Sequence, residues 1–428
     1  MHPCQVVAPV PGATGEGPED PAAADAAGRT SGGGEEERRW GRGLVRRRLG
    51  FALPPAGAAR ARRELSGSWA CCKQSPSKQM VHMNQGQGET SYARNSAFQS
   101  AQQNRMKLLI EAAIIDLGSN TNTLLPQKVV IADLGCSTGP NALALVSIAI
   151  KAIQSYCLQL QQPSPELLVF LNDLPDNDFN MVVKSLVTLR QSKKPLVMIG
   201  VTPGSFYERL FTSSSLHLVC SSSSLQWLSK APEVLARNHI PAYDIDEKAR
   251  RERLPVVLEA YAEQFRKDFT HFLELRAKEL APGGQMVISI IGRRFDGFAS
   301  FHIWEIITQV LSVMASEGVI DKEKFNSFYM PMYGPSNEEL KEIIHEEGSF
   351  SIRDMLVHDF TGGINKELIT PAWTANQLRA VFEQILVQHF GDLMDEFVKT
   401  AERCWSMEGR LHDELGRLAM LTVSVSKA

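Results

Sequence analysis

Short apolar runs alternate along this chain with stretches whose apolar positions recur every three or four residues. The runs Val129–Asp133, Leu167–Asn172, Val197–Val201, Leu216–Cys220, Gln285–Ile291, Phe350–Val357 and Leu418–Val425 predict buried strands. Helical spacing fills Ala142–Leu160, Phe179–Arg190, Pro255–Leu280, Phe301–Glu317, Glu338–Glu346 and Thr374–His389. Pro282-Gly283-Gly284 breaks the long third helix directly before a strand, because proline has no N–H to donate and glycine carries the highest backbone entropy. Strands alternating with helices predict an α/β fold with a mostly parallel, doubly wound sheet. The surplus of helix at about 225–265 and 300–400 predicts a cap over the carboxyl edge of that sheet, where such folds bind ligands.

The strand ends carry the chemistry. Val130-Ile131-Ala132-Asp133-Leu134 runs into Gly135-Cys136-Ser137-Thr138-Gly139-Pro140 and then into the helical stretch that opens at Asn141. Glycines at 135 and 139 let a ligand lie against bare backbone. Their Gly-x-x-x-Gly spacing is not the Gly-x-Gly-x-x-Gly of a pyrophosphate cradle, and no Lys-Ser/Thr follows as in a P-loop. That argues against a nicotinamide dinucleotide and suits a nucleoside without phosphates, such as S-adenosylmethionine; a plain tight βα turn is the bland alternative. Leu171-Asn172-Asp173-Leu174-Pro175 closes the second strand on an acid that can accept from both hydroxyls of a ribose, or cap the next helix. Thr202-Pro203-Gly204-Ser205-Phe206-Tyr207 follows the third strand, with Phe206 available to adenine or to the core. After the fourth strand, the polar run Ser221–Ser224 ends in Leu225-Gln226-Trp227-Leu228-Ser229, a composition suited to a pocket wall.

Composition narrows the classes. At 428 residues, 43% hydrophobic and 22% charged, the chain is of ordinary globular composition. A net charge of −3 gives no electrostatic case for nucleic acid or an anionic membrane. No apolar run reaches the roughly 18 residues of a membrane helix, since Lys151 interrupts the longest, Ala142–Ile153. The 7 cysteines are odd in number and scattered, with no Cys-x-x-Cys, which predicts reduced thiols, no zinc site and a cytoplasmic location. Residues 1–79 are rich in Gly, Ala, Pro and Arg and too poor in apolar positions to offset their ordering entropy, so a disordered extension is expected. Plastid import is the competing reading of that extension, opposed by Glu35-Glu36-Glu37 and by the acids at 16–25.

Several motifs occur in fixed order. They are His82-Met83-Asn84-Gln85-Gly86-Gln87-Gly88-Glu89-Thr90-Ser91-Tyr92-Ala93-Arg94-Asn95-Ser96, the Ala132–Ser137 turn, and Asn172-Asp173-Leu174-Pro175 with Asn177-Asp178-Phe179-Asn180. Pro203-Gly204-Ser205-Phe206-Tyr207 with Arg209-Leu210-Phe211, and Ser224-Leu225-Gln226-Trp227-Leu228-Ser229, complete the set. Together they resemble the plant SABATH methyltransferases, which move a methyl group from S-adenosylmethionine to the carboxylate of salicylate, benzoate, jasmonate or indole-acetate, or to xanthine nitrogens. The resemblance covers about residues 80–428. It implies a class I methyltransferase fold (a seven-stranded, Rossmann-like sheet under a helical cap), S-adenosylmethionine as methyl donor, a small carboxylic acid as substrate and a homodimer.

Carried onto matching positions, the resemblance implies that Tyr92, Ser96, Asp133, Asn141, Asp173, Leu174, Ser205 and Phe206 surround the cofactor, joined by Gly135 and Ser222 at the strand ends. It implies that Gln99 and Trp227 hold the substrate carboxylate and that Ile303 and Trp304 wall the acid's body. Ser223, Gln226, Leu378, Val381 and Leu418 complete the implied substrate pocket. Asn84 stands where the salicylate branch has Lys and Ser223 where it has a bulky Tyr, both as in the jasmonate branch, whereas Gln226 replaces that branch's His. The family's magnesium position maps to Asn238 and Phe328, but Asn326 and Tyr329 replace Asp and Asn beside Phe328, which removes the one carboxylate a hard cation would seek.

The implied reaction asks little acid–base work of the protein. A carboxylic acid with a pKa of about 4 is ionised at neutral pH, so no general base is required. Attack on a sulfonium methyl demands an in-line approach, and fixing both reactants in that geometry is worth about 7–11 kcal/mol. Gln99 and Trp227 are neutral N–H donors. A Lys or Arg would stabilise the ground-state carboxylate more than a transition state in which its charge is being neutralised. The expected activity is therefore methyl-ester formation on a small apolar acid, jasmonate and benzoate or salicylate types first. N-methylation of a xanthine-like ring and a catalytically silent acid-binding protein stand as the alternatives.

Overall fold

The computed structural model describes residues 81–119, 124–189, 196–294, 303–408 and 410–428. The extension expected at 1–79 lies outside the described residues. Seven strands form one sheet: β1 Lys128–Leu134, β2 Glu166–Asp173, β3 Val197–Pro203, β4 Leu216–Ser222, β5 Leu280–Arg293, β6 Phe350–Asp359 and β7 Leu418–Lys427, in the order β3-β2-β1-β4-β5-β7-β6. The first five run parallel, and β7 lies antiparallel between β5 and β6. All seven expected strands are present, each within a few residues of its expected bounds. The exception is β5, which starts at Leu280 and contains Pro282-Gly283-Gly284, with Gly283 at φ 72° and the pairing to β4 slipping register there. The triplet is thus a bulge inside a strand rather than a linker before one.

The helices are α1 Ala97–Arg105, α2 Lys107–Ser119, α3 Ala144–Gln159, α4 Phe179–Leu189, α5 Glu233–Arg237, α6 Glu247–Glu279, α7 Ile303–Ser316, α8 Lys322–Asn326, α9 Asn337–Glu347, α10 Pro371–Phe390, α11 Met394–Glu408 and α12 Arg410–Arg417. Both faces of the sheet are covered, which is what a parallel sheet requires. The alternation is visible within β1. Val129 and Ile131 enter a cluster with Ile110 and Ile114 of α2 and Leu145 and Ile153 of α3, while Val130, Ala132 and Leu134 face Phe265, Phe269 and Phe272 of α6 in the other. One expectation needs correcting here. Pro140–Gln159, a 3-10 turn continued by α3, is long and apolar enough to cross a membrane by length and composition. Its buried residues Leu145, Val146, Ala149 and Ile153 pack into the sheet cluster, so it serves as a core helix.

The long helix α6 starts well before its expected first residue and carries Pro255 inside it. Asp246 caps it, accepting from Ala249 N at 2.8 Å, and Pro255 is exposed, where water can satisfy the carbonyl it leaves unpaired. Its other end is pinned by charge. Arg276 and Glu279 are both fully buried and approach to 2.8 Å outside hydrogen-bonding alignment. The Arg276 guanidinium donates to Phe206 O at 2.9 Å and Glu208 O at 3.0 Å, while Glu279 Oε1 accepts from Leu210 N at 2.7 Å and Phe211 N at 3.0 Å. One ion pair thereby sets the shape of the loop that follows β3.

Chain order puts β2 and β3 on one side of β1 and β4 on the other, which opens a crevice at the carboxyl ends of β1 and β4. Replacing Arg276 with Met leaves the Phe206 and Glu208 carbonyls without their donor and Glu279 with Arg209 alone, 3.4 Å away, as its cation. The expected loss is about 3 kcal/mol of stability, read as a lower urea midpoint at unchanged pH.

Candidate active site

The floor of the crevice is built by one asparagine and two glycines. Asn172, fully buried near the end of β2, accepts Gly135 N and Cys136 N on its carbonyl at 2.9 Å each, and its side-chain amide donates to Thr202 O at 2.7 Å and Gly204 O at 2.9 Å. Three strand ends are joined through that residue. Gly135, at φ 77°, leaves no room for a Cβ against the Ser224 hydroxyl, which itself donates to Gly135 O and Ser222 O at 3.1 Å. A Cβ at Gly139, also at φ 77°, would lie 2.9 Å from Ala93, so the segment before α1 rests directly on the turn.

Above this floor lies a cavity of about 180 Å³. Of the residues implied for the cofactor, Tyr92, Gly135, Asp173, Leu174, Ser205, Phe206 and Ser222 line it. Ser96, Asn141 and Asp133 stand behind its surface. Asn141 Nδ2 donates to Ser96 O at 3.1 Å and Ser96 Oγ at 2.9 Å, which locks the start of α1 onto the turn after β1. The Asp133 carboxyl is 1% exposed, and its Oδ2 has no partner.

Two acids so close and so dry perturb each other. Burial first, and the neighbouring Asp173 charge second, push the Asp133 carboxyl up to about 8. Burial raises Asp173 as well, opposed by Ser137 N and Leu174 N, which donate to its two oxygens at 2.7 and 2.8 Å, and by the His82 charge. Burial also raises the Tyr92 phenol and the Cys136 and Cys220 thiols, so neither thiol is poised as a nucleophile. The floor is therefore acidic in composition but sparing in charge, with both carboxyls raised by burial. It suits a ligand that is cationic at one end and rich in hydroxyls beside it.

The other half of the cavity is apolar. Ile303, Leu378, Val381 and Leu418 line it as implied, together with Ile306, Ile307 and Phe382. Ser223 and Gln226 line it too, Ser223 at φ 53° on the sharp turn that leads to Trp227. Trp227 is 9% exposed, with its ring 5.6 Å from that of Phe382. Its backbone is held by a bridge to Met332 and by Tyr207 Oη donating to Trp227 O at 2.8 Å. No bond to its indole N–H occurs among the described residues. Gln99 of α1 faces the same space with Oε1 buried and unpartnered. Two neutral side chains thus offer uncommitted N–H donors to one cavity, with a dry apolar wall around them.

Some implied positions fall elsewhere. Trp304 does not reach this cavity; it is buried on another side of α7, stacked on Tyr261 at 4.7 Å and near Tyr333 at 6.3 Å. Asn84, the position that sets this chain apart from the salicylate branch, lies outside the lining. It fastens the segment before α1 to α10, through Asn84 N to Ala380 O at 2.9 Å, its amide to Glu383 and Gln384 Nε2 to Asn84 Oδ1. From 225–265 only Gln226–Ser229 line the cavity, and the rest of its roof comes from residues 81–99, α7, Met332, Phe360, α10, α12 and Leu418. The motif reading missed His82, Phe98, Thr374, Gln377 and Phe382. Thr374 and Gln377 precede Leu378 and Val381 on one stripe of α10, so helical spacing carried that signal.

The implied magnesium position does not fit a hard dication. Asn238 is an exposed residue ending α5, and Phe328 is buried with its ring 5.1 Å from those of His389 and Phe390. The Tyr329 hydroxyl donates to Ile240 O at 3.1 Å. No group of three His, Cys, Asp or Glu side chains converges among the described residues, and magnesium or calcium wants several oxygens with at least one carboxylate.

Comparison with known proteins matches this geometry. The model of the SAM dependent carboxyl methyltransferase family fits residues 78–428. A probable jasmonic acid carboxyl methyltransferase of Theobroma cacao is 40% identical over 348 residues, 76% of this chain and 92% of that protein. Salicylate carboxymethyltransferase of Clarkia breweri is 38% identical over 336 residues, 75% of this chain and 90% of that protein. Among solved structures, a loganic acid methyltransferase with SAH superposes with a TM-score of 0.70 at 29% identity, covering 81% of this chain and 98% of that one. The family match over residues 78–428 and the identity to these relatives agree, and the chain belongs to the S-adenosylmethionine-dependent carboxyl methyltransferases of the SABATH family.

Proposed function

We propose that this protein esterifies a small, largely apolar carboxylic acid with the methyl group of S-adenosylmethionine. The observation that carries the reading is the meeting, in one cavity, of a strand-end acid floor with two uncommitted neutral donors, Gln99 and Trp227. When bound, the cofactor supplies an electrophilic methyl on a cationic sulfur. The residues fit it: Asp173 keeps free lone pairs for ribose hydroxyls, Phe206 offers a ring face to adenine from a loop fixed by Arg276, and the orphaned Asp133 oxygen balances positive charge. Tyr92, Leu174, Ser205 and Ser222 complete that wall, with Ser96 and Asn141 bracing it from behind.

In this reading Gln99 and Trp227 aim the substrate carboxylate without overbinding it. Ile303, Leu378, Val381 and Leu418 hold the acid's body and keep water out, which strengthens the weak electrostatics of neutral donors. The small Ser223 leaves space beside Trp227, which supports a jasmonate-sized acid, with benzoate or salicylate next. Two exposed apolar side chains seven residues apart on α2, Leu108 at 71% and Ile115 at 51%, support a homodimer, for which light scattering should give twice the chain mass and a Leu108→Glu, Ile115→Glu double variant should halve it.

The test is methyl transfer from labelled S-adenosylmethionine to jasmonate, salicylate, benzoate and indole-acetate by the full chain. Label in a volatile, base-labile ester is expected; base-stable label on a xanthine would instead mean N-methylation. In the same assay Trp227→Phe keeps the wall and loses the N–H, so kcat/KM should fall by about 1–3 kcal/mol of transition-state stabilisation. An unchanged kcat/KM would remove Trp227 from the chemistry.

Asp133 makes cofactor binding depend on pH. With its folded pKa at about 8 rather than the ordinary 3.8, the ligand-free protein holds a proton there at neutral pH. A cation bound nearby favours the ionised form and expels that proton. Affinity for S-adenosylmethionine should therefore rise between pH 6 and 8 and level off above, with calorimetric proton release that Asp133→Asn abolishes. Stability follows the same sign: this group's contribution to the ligand-free fold is whole below pH 3.8 and is lost progressively up to about 8.

A further inference from the structure

The start of α1, which carries Gln99 as its third residue, is capped by a residue from another helix. Ser96 stands where a serine ordinarily caps the first turn with its own hydroxyl, but it makes no such bond. Its Oγ accepts instead from Asn141 Nδ2, in the turn after β1, at 2.9 Å. The open N–H of Ala97 is taken from 280 positions away: Ala97 N donates to Gln377 Oε1 at 2.9 Å. Gln377 is 3% exposed and lines the cavity from α10, directly before Leu378. Its amide cannot be reversed. Asn95 Nδ2 donates to Glu89 O at 2.6 Å and Ser91 O at 3.0 Å, which leaves Asn95 Oδ1 to accept from Gln377 Nε2 at 3.4 Å. The Gln377 oxygen is thereby turned toward α1.

Other contacts hold α1 near its neighbours without orienting its first turn. Phe98 stacks on Phe360 at 4.8 Å and meets Trp373 edge-on at 5.1 Å, and further along the helix Gln102 Nε2 donates to Phe360 O at 3.3 Å. Apolar burial is non-directional and tolerates a small rotation of the helix about its axis. The bond at Ala97 does not, because an N–H···O bond weakens steeply as it leaves alignment. We infer that Gln377 is a positioning residue for methyl transfer: it holds the first turn of α1 so that Gln99 aims the substrate carboxylate at the methyl donor. This deepens the carboxyl-methyltransferase reading and rests on it. The helix start is bound on one side to the cofactor's floor through Asn141 and on the other to the acid's wall through Gln377. Gln99 is therefore set relative to both reactants, which is what a reaction that depends on alignment requires.

The experiment is a double-mutant cycle on the full chain, read as kcat/KM for the acid it turns over fastest and as calorimetric affinity for S-adenosylhomocysteine. Gln377→Met keeps the volume and removes the acceptor. Its kcat/KM should fall about tenfold while affinity for S-adenosylhomocysteine stays within about twofold. In a Gln99→Met background the same change should cost less than about twofold, because the side chain it aims is gone. A direct contact from Gln377 to the acid, or a general loosening of the fold, would lower both backgrounds alike and overturn the inference. Gln377→Glu keeps an acceptor for Ala97 N, and a carboxylate is favoured at a helix start. It should hold kcat within about threefold of the unaltered chain, while repulsion of the anionic acid raises KM. A kcat as low as that of Gln377→Met would also overturn the inference. If the unaltered chain esterifies no acid, the carboxyl-methyltransferase reading falls by itself. Acid affinities of the four proteins of the cycle, loaded with S-adenosylhomocysteine, then decide the role of Gln377: non-additive losses sustain it and additive losses remove it.

Discussion

The tie at Asn172 is what the rest of the site depends on. A parallel sheet delivers its strand ends to one edge but does not by itself fix the loops that leave them. Here one fully buried residue holds the turn after β1 with its backbone and the loop after β3 with its side chain. Gly135 and Ser205 can line one floor only because both loops are referred to the same end of β2. The fully buried Arg276–Glu279 pair adds a second fixed point on the far side of the β3 loop. Phe206 sits between these two anchors, so its backbone is fixed by hydrogen bonds while its ring packs edge-on against Tyr207 and Phe272.

The chemistry around this frame is sparing in charge. Both floor acids are pushed toward their neutral forms, and the two donors implied for the carboxylate are an amide and an indole. For a reaction that annihilates charge between a carboxylate and a sulfonium, a site full of fixed ions would stabilise the reactants most. A dry wall of Ile, Leu and Val with weak, well-aimed donors matches the transition state better.

Much of this was legible in the chain. Strand runs with turn signals at both ends located all seven strands, and most of the cofactor and substrate residues that the resemblance implied line the cavity, although they make up less than half of its lining. What was misread follows from physical causes. Trp304 is adjacent in sequence to Ile303, and neighbours on a helix point about 100° apart, so only one could face the pocket. Spacing shows which: Ile303, Ile306 and Ile307 share a face, and Trp304 does not. Pro255 reads as a helix start because proline usually ends what precedes it, yet the helix begins at Glu247 behind the cap at Asp246. The short α1 and α2 escaped because α1 is mostly polar and α2 is apolar on nearly every side, so neither shows a stripe. By contrast α11 carries a legible stripe, with Phe397, Ala401 and Trp405 buried at helical spacing. The tie that Asn84 makes to α10 was not legible, since its partners Ala380 and Glu383 lie some three hundred positions away.

The two halves of the cavity are made in different ways. The floor is tied to main-chain hydrogen bonds at the strand ends and cannot change without disturbing the sheet edge. The opposite wall is a set of side-chain tips from α7, α10 and α12, which project inward without joining the strand-end bonds. Inheritance acts differently on such parts. Substitutions in the wall can accumulate one at a time and alter which acid is accepted, while the means of holding the methyl donor is conserved by the fold's own integrity. A lineage with this architecture can acquire new volatile esters without having to reinvent the reaction.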